Sequence, residues 1–219
     1  MIAIFDIDSL IYEACYNADE FQEAADKFFN KYNDAIYNLN GMIKIDGVIP
    51  VGFCINNYRK KVDLAYKANR TSDKPKYFRE LIDFVKEQLN VQTRSGIETD
   101  DLVVKFQEHY GKDNSIIISI DKDYRQMEGK IFNYRKNEII EVSKEEAVYN
   151  FYSQMVEGDT ADNVNYLKGW GKSWCKKNLT GKSEFGMRRA VYKLFKEVYR
   201  VKAKEMFVRC YLLLKLNVF

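Results

Sequence analysis

The stretch Ser119-Ile120-Asp121-Lys122-Asp123 continues the apolar run Ile116-Ile117-Ile118. A run of β-branched residues after the polar turn Lys112-Asp113-Asn114 is typical of a central strand that is buried on both faces. Asp121 and Asp123 then stand where this strand ends, and open α/β sheets bind their ligands at the carboxyl ends of strands. The stretch therefore predicts an α/β fold with an acidic site beside its central strand.

Acidic residues cluster at three further places along the chain. One pair follows the short apolar run Ile2-Ala3-Ile4-Phe5, a second group opens a predicted helix, and a third flanks a glycine-bearing turn. The members are Asp6 and Asp8; Glu98, Asp100 and Asp101; and Asp159 and Asp162. Clustered carboxylates repel one another, so four such groups call for a common explanation, such as bound cations.

Helix capping is the competing explanation for several of these acids. Asp8 lies just before Ser9 and is well placed to cap a helix that we expect over 9–38. Ser95 and Glu98 have the spacing of a capping box, which predicts a helix from Ser95 to about Tyr110. Acids in the first turn also complement the helix dipole, and this reading stays open for Asp100 and Asp101.

Composition limits the class of protein. The chain has 219 residues, 46% of them apolar and 31% charged, which predicts one ordered domain with at most a small appended subdomain. Its apolar runs are too short to span a bilayer, its start does not resemble a secretory signal, and its four scattered cysteines favour buried thiols over disulfides or zinc. We therefore expect an intracellular protein. The single histidine, His109, is expected to be structural, which leaves no Ser/His or Cys/His mechanism.

Basic charge is concentrated in two segments, although the net charge is only +3. Residues 59–80 contain eight basic residues and three acids, and residues 168–204 contain twelve and two. Lys and Arg interleaved with tyrosine, as in Tyr58 to Arg70, suit contact with phosphates and unstacked bases. Two solvated helix faces, with the tyrosines packed inside, would explain the same pattern.

The remaining segments alternate between strand and helix patterns. We expect β structure over 42–55, with Pro50 marking an edge or a connection, and a hairpin over 130–142. Helices are expected over 76–90 and 144–156, and a basic helical region over 173–219 has a face formed by Val191, Leu194, Phe195 and Val198. The glycine-bearing turn 158–172 would present backbone N–H groups to a phosphate.

The order of these motifs resembles that of the bacterial and phage 5′ nucleases, which include the 5′-3′ exonuclease domain of DNA polymerase I and the phage flap endonucleases. The resemblance covers about residues 1–180. It rests on Asp6, Tyr66-Lys67-Ala68-Asn69-Arg70, Gly96 to Asp101, Ser119 to Asp123, and Gly158 to Gly171. It implies a PIN-like, mostly parallel α/β sheet with a helical arch at about 58–90 in a catalytic domain 1–143. A helix-hairpin-helix region would occupy 144–219.

The resemblance also implies roles for individual residues. Two Mg²⁺ or Mn²⁺ ions would be held by carboxylates. Lys67 and Arg70 would contact the scissile phosphate at the base of the arch. Further contacts with nucleic acid would come from Arg59, Tyr66, Lys168, Gly169, Gly171 and Lys172. One ion would be bound by Asp6, Glu98, Asp100 and Asp121, with Asp101 adjacent. The other would be bound by Asp123, Asp159 and Asp162.

Two positions depart from the family pattern. Gly52 stands where the family usually has an aspartate at the end of a strand, so the first ion would be one ligand short. Tyr166 stands where the hairpin often has a glycine. These departures bear on how tightly a metal would bind.

The activity implied is cleavage of phosphodiester bonds in 5′ flaps or RNA–DNA hybrids, including primer RNA, during replication in a bacterial or phage-infected cell. A monomer is expected, with no membrane association and with a polymerase or a single-strand-binding protein as possible protein partners. Two alternatives stay open. A PIN-type ribonuclease would share the acidic pocket but would not need the hairpin, and a nucleic-acid-binding homologue could have lost catalysis.

Overall fold

The computed structural model describes residues 1–217, which form two compact units. The first unit comprises Met1–Asn57, Ser72–Tyr124 and Gly129–Glu141. The second comprises residues 58–71, 125–128 and 142–217. The segment expected to form the arch is thus shared between the units, and residues 58–71 belong with the second.

The first unit is built on a five-stranded mixed sheet with the strand order β2-β1-β3-β4-β5. β1 pairs in parallel with β2 and β3, and β3 pairs in parallel with β4. The central strand β3 is buried along its whole length, as its apolar run predicts. The strands are β1 (Ile2–Asp6), β2 (Gly47–Val51), β3 (Ser115–Ile118), β4 (Gly129–Asn133) and β5 (Glu138–Val142).

Strand β2 lies at the edge of the sheet, which is where Pro50 is tolerated because proline cannot donate a ladder hydrogen bond. The β structure is shorter than the expected 42–55, since Met42 still ends a helix. The hairpin over 130–142 is confirmed by β4 and β5, which are neighbours in the sheet.

Nine α-helices lie within residues 1–217, and they include the helices predicted over 76–90 and 144–156. Short 3₁₀ helices cover Lys122–Gln126 and Arg200–Lys202. The α-helices are α1 (Asp8–Cys15), α2 (Phe21–Met42), α3 (Arg59–Val62), α4 (Phe78–Gln88), α5 (Thr99–Tyr110), α6 (Lys144–Glu157), α7 (Lys172–Leu179), α8 (Glu184–Tyr199) and α9 (Ala203–Leu214).

The single helix expected over 9–38 is wrong, because the chain breaks between α1 and α2. Asn17 adopts a left-handed backbone conformation with φ of 56° in this break. Asparagine visits that region more readily than most residues, and one such residue ends a helix. The break lets α1 and α2 turn back on each other and pack on one face of the sheet, where Phe5 stacks on Tyr32 with ring centroids 5.1 Å apart.

The second unit has its own apolar core between α6, α7, α8 and α9. Val191, Leu194 and Phe195 of the predicted face are buried there, whereas Val198 is 43% exposed and does not belong to it.

All four cysteines are free thiols, three of them buried. No helix within residues 1–217 is long and apolar enough to cross a membrane.

Candidate active site

The carboxyl ends of β1 and β3 bring acidic residues together. The parallel register pairs Phe5 with Ile118, so Asp6 and Ser119 are the next residues along two adjacent strands. The Ser119 hydroxyl donates to Asp6 Oδ2 at 3.4 Å, and the Tyr124 hydroxyl donates to the same oxygen at 2.8 Å. The 3₁₀ turn after β3 places Tyr124 beside Asp6 because it folds the chain back toward the strand ends.

Asp6 is a buried carboxyl group without a basic partner. Its side chain is 8% exposed, and no lysine or arginine within residues 1–217 pairs with it. Burial, followed by the charges of Asp8 and Asp121, raises the pKa of Asp6 to about 7, although the hydrogen bond from Tyr124 lowers it. Ionised Asp6 therefore needs a positive charge that the surrounding side chains do not supply.

Two more acids face the same point. Burial raises the pKa of Tyr124 well above its usual range, and the charges of Asp6, Asp100 and Asp121 raise it further. These three carboxylates come from the end of β1, the first turn of α5 and the segment after β3, and all three are close enough to the Tyr124 hydroxyl to raise its pKa. We call these three carboxylates the acidic cluster. The sequence predicted that Asp6, Glu98, Asp100 and Asp121 hold one ion; Asp6, Asp100 and Asp121 lie near Tyr124, and their metal role stays a prediction.

Asp8 does not cap α1, contrary to the prediction. The helix begins at Asp8 itself, and Ile7 is the residue at its N-cap. The Asp8 carboxylate instead accepts hydrogen bonds from the backbone N–H of Phe53 at 2.8 Å and from the Thr99 hydroxyl at 2.7 Å. It thereby bridges the chain after β2 and the start of α5.

The capping box predicted at Ser95 is also wrong, since α5 begins at Thr99. Asp101, which is almost fully buried, accepts the backbone N–H of Glu98 at 3.1 Å. Glu98 Oε1 accepts a hydrogen bond from Asn57 at 3.2 Å instead of folding back on Ser95. Glu98 and Asp101 form a capping box at this helix start, whereas Asp100 belongs to the acidic cluster. The helix therefore starts about one turn later than the predicted start at Ser95.

The acidic cluster has the chemistry of a site for a hard cation, because its donors are all oxygens and its buried member has no basic partner. Within residues 1–217, no group of three or more His, Cys, Asp or Glu side chains is arranged so that it could hold a metal ion. Mg²⁺ keeps several water molecules and is held by one or two carboxylates directly, so it does not require three protein ligands. The chemistry of the donors fits a hydrated divalent ion, and their arrangement does not form a three-ligand site.

The second unit contains a different arrangement, in which Asp162 is surrounded by positive charge. Arg70 donates to Asp162 Oδ1 at 2.7 Å, and the Tyr66 hydroxyl donates to Oδ2 at 2.7 Å. Lys67 Nζ lies 3.6 Å from Oδ2. Both predicted phosphate-contacting residues are thus held by a carboxylate that the resemblance assigns to a metal, and we call this group the paired site.

The turn before Asp162 is fixed by Gly158 and Asp159. Gly158 has φ of 77°, and a Cβ atom there would lie 2.4 Å from the carbonyl oxygen of Val164. Asp159 is buried, and its Oδ1 accepts the backbone N–H groups of Ala161 and Asp162 at 2.8 and 3.3 Å. Its other oxygen accepts from Gln154 at 3.3 Å. These contacts shape the turn, and the metal role of Asp123, Asp159 and Asp162 stays a prediction.

Two predicted nucleic-acid contacts do not fit the structure. Tyr66 is 2% exposed and packs in the core of the second unit, so its ring cannot stack on a base. Arg59 is 1% exposed and donates to the carbonyl oxygens of Leu213 and Lys215, both at 3.0 Å. Arg59 thus provides hydrogen-bond donors for carbonyl groups at the end of α9, where its positive charge also complements the helix dipole. The alternation of tyrosine with basic residues reflected packing at both positions.

The glycine turn is exposed at the residues predicted to contact phosphates. Lys168, Gly169 and Lys172 are exposed, Gly171 is half-buried, and α7 begins at Lys172 directly after the turn. The Tyr166 hydroxyl donates to Asp63 Oδ2 at 2.6 Å and so ties this turn to residues 58–71. A glycine at 166 would lack that contact, which gives the departure from the family pattern a structural reason.

Sequence reasoning missed Tyr124 and Thr99, and it misassigned Asp8. Tyr124 follows Asp121 by three residues, a spacing that one 3₁₀ turn brings to the same face, but an isolated tyrosine gives no signal of this role. Thr99 is the first residue of α5, and its hydroxyl contacts an acid 91 positions away. Only the fold brings those residues together.

The fold is that of the 5′ nucleases. The flap endonuclease of bacteriophage T5, solved with DNA and metal ions, matches with a TM-score of 0.64 at 14% identity, covering 97% of this chain and 98% of that one. The T5 5′-exonuclease matches at 0.57 and 14% over 98% and 99% of the two chains. The catalytic core of Rad2, solved with a DNA substrate, matches at 0.54 and 13% over 96% and 71%. The PIN-like fold expected from the motifs is thereby confirmed.

The sequence itself is similar to a curated phage protein. It is 30% identical over 123 residues to the exodeoxyribonuclease of Enterobacteria phage T3, an alignment that covers 52% of this chain. The match spans 41% of the length of that relative. No protein-family model matches the sequence.

Proposed function

We propose that this protein is a divalent-metal-dependent 5′ nuclease that hydrolyses phosphodiester bonds at 5′ ends and 5′ flaps of DNA. The observation that carries the proposal is Asp6, a buried carboxyl group that faces Asp8 and Asp121 and has no basic partner within residues 1–217. A buried carboxylate without a balancing positive charge raises the free energy of the folded protein, unless it binds a cation or takes up a proton. The relatives named above are nucleases, two of them solved with DNA.

The acidic cluster would hold Mg²⁺ or Mn²⁺. Asp6 and Asp121 are the direct candidates, because they come from adjacent strand ends, and Asp100 lies near them at the start of α5. Bound divalent ions would lower the pKa of a coordinated water and stabilise the charge that develops on the cleaved phosphate. The resemblance implies a second ion with Asp123, Asp159 and Asp162. Because Arg70 and Lys67 already balance the charge of Asp162, we propose instead that Asp162 positions these two basic side chains.

The protein's own residues would position the substrate. Lys67 and Arg70 would neutralise the scissile phosphate, and their tether to Asp162 keeps both side chains in place. Lys168 and Lys172, with the backbone N–H groups of Gly169 and Gly171, would hold a more distant phosphate of the duplex. Tyr124 would orient Asp6 through its hydroxyl hydrogen bond.

Cleavage of a 5′-labelled flap in the presence of Mg²⁺ tests the proposal. We expect Mg²⁺-dependent release of the label and its loss in Asp121→Ala. Undiminished cleavage by Asp121→Ala would remove the assignment. Preference for single-stranded RNA over branched DNA would select the PIN-type ribonuclease, and flap binding without cleavage in Mg²⁺ or Mn²⁺ would select a homologue that has lost catalysis.

The biological setting belongs to the same proposal. A 5′ nuclease acting at replication would remove flaps or primer RNA in a bacterial or phage-infected cell and would meet a polymerase or a single-strand-binding protein there. We propose action as a monomer. Cleavage of a 5′ RNA–DNA junction, compared with an all-DNA flap, tests the primer-removal role.

A further inference from the structure

Gly52, the residue after β2, has no room for a side chain. A Cβ atom there would lie 2.8 Å from Ile7 Cγ1 and 3.0 Å from Asp8 Oδ1. Ile7 is fully buried and cannot move aside at low cost. The Asp8 carboxylate thus occupies the space into which a side chain at position 52 would project. A glycine at 52 and an acid at 8 are therefore two parts of one arrangement.

The Asp8 carboxylate is held in this position from two sides. Phe53 directs its backbone N–H to Oδ1 at 2.8 Å while its φ of 59° places it in the left-handed region. Thr99, at the start of α5, directs its hydroxyl to Oδ2 at 2.7 Å. Such a backbone conformation is unfavourable for a non-glycine residue, and the hydrogen bond to the carboxylate helps to offset its cost. The orientation of Asp8 is fixed before any ligand binds.

Asp8 faces the acidic cluster. The Asp8 backbone N–H donates to Asp6 Oδ1 at 3.2 Å, which places the two residues side by side. Asp8 remains exposed to solvent, while Asp6 is buried. A carboxylate has about four acceptor positions, so the hydrogen bonds from Phe53 and Thr99 are compatible with binding of a cation beside Asp6.

We infer that Asp8 is a cation-binding carboxylate of the active site and supplies the negative charge that the end of β2 lacks. This inference rests on the proposed function, since it adds a member to the same site. The alternative is that Asp8 only ties Phe53 to Thr99. An asparagine would keep the tie, because its side-chain oxygen would accept from the Phe53 N–H and its NH₂ group would donate to the Thr99 hydroxyl, which can act as donor or acceptor.

Manganese binding separates the two roles. The free-ion EPR signal of Mn²⁺, titrated against the full chain, reports affinity independently of cleavage. We expect Asp8→Asn to raise the Mn²⁺ dissociation constant by about 10- to 100-fold, in the range found when groups around a metal site are altered. The matched control is Asp34→Asn, which removes an exposed acid on α2 and should leave the affinity unchanged.

A second variant keeps the inference testable if Asp8→Asn folds poorly. Thr99→Val preserves the charge of Asp8 and the shape of residue 99 but removes the hydroxyl that orients the carboxylate. We expect a smaller increase in the dissociation constant than for Asp8→Asn. Wild-type affinity in a folded Asp8→Asn protein, or in Thr99→Val should Asp8→Asn not fold, would overturn the inference.

The failure of this inference can be distinguished from that of the proposed function. If the wild type binds Mn²⁺ and cleaves a flap while Asp8→Asn keeps full affinity, Asp8 is structural and the nuclease assignment stands. If the wild type neither binds Mn²⁺ nor cleaves, both are overturned.

Discussion

Asp6 and Asp162 are both largely buried aspartates in predicted metal sites, yet their surroundings differ. Asp162 is balanced by Arg70 and Lys67 and accepts a third contact from Tyr66. Asp6 has only hydroxyl and amide donors and faces other carboxylates. The comparison teaches that a carboxylate already neutralised by side chains serves to position them, whereas one surrounded by acids depends on an external cation. The proposed function accordingly gives catalysis to the acidic cluster and positioning to the paired site.

The largest effect should come from Asp6. Asp6→Asn removes the buried charge that attracts the cation, and we expect flap cleavage to fall by about 100-fold or more, since even groups around metal ligands contribute 10- to 100-fold. The fold should survive, because the variant also removes repulsion from Asp8 and Asp121. Single-turnover cleavage rates measure the loss, and thermal unfolding checks the fold. A rate near that of the wild type would end the distinction between the two aspartates.

Gly158 tests how far the paired site depends on its turn. Gly158→Ala would place Cβ 2.4 Å from the Val164 carbonyl oxygen and impose an unfavourable φ, so we expect a loss of about 2–4 kcal/mol in the free energy of unfolding. Gly169→Ala is the matched control. Gly169 has φ of 87° but open space around its Cβ position, so only about 1 kcal/mol should be lost. Urea denaturation measures both variants, and equal losses would contradict the steric argument.

Arg59 and Lys172 distinguish structural from phosphate-binding basic residues. Arg59→Met leaves carbonyl groups at the end of α9 without their donors, and we expect a loss of about 2–3 kcal/mol in the free energy of unfolding. Its effect on DNA affinity should be small once folding is accounted for.

Lys172→Met should behave in the opposite way. DNA affinity should fall and the slope of log affinity against log salt should decrease by about 1, with stability unchanged, because the side chain is exposed. Fluorescence anisotropy at several salt concentrations provides the comparison. Full DNA affinity in Lys172→Met would remove the glycine turn from the interface.

The smallest effect is expected at Asp162. Asp162→Asn weakens the tethers of Lys67 and Arg70, and Arg70 is partly exposed, so we expect a loss of about 1–2 kcal/mol in stability. Cleavage should decrease through poorer positioning of the phosphate, with the Mg²⁺ dependence unchanged. A rate profile against Mg²⁺ concentration tests this, and a shift of its midpoint would show that Asp162 binds metal.

Local patterns predicted the parts of the molecule that depend on neighbouring residues. The apolar run before Ser119 indicated the buried central strand, and acids at strand ends indicated where the acidic cluster lies. Two errors share one physical cause. Asp8 and Ser95 have the residue types that cap helices, but tertiary contacts with Phe53, Thr99 and Asn56 determine where their side chains point.

Contacts between distant residues could not be read from spacing. Arg59 and Tyr66 look like a nucleic-acid surface in the sequence, and only the packing of residues 58–71 within the second unit shows that they are buried. The pairing of Lys67 and Arg70 with Asp162 likewise joins segments more than 90 positions apart. The sequence showed only that Gly52 lacks a carboxylate, and the structure alone shows Asp8 in the space beside it.

Titration of Mn²⁺ into Asp6→Asn and Asp162→Asn, followed by EPR, tests the central claim most directly. The account predicts that Asp6→Asn loses most of its affinity for Mn²⁺ and that Asp162→Asn binds the ion as tightly as the wild type. Loss of affinity in Asp162→Asn with full affinity in Asp6→Asn would contradict it.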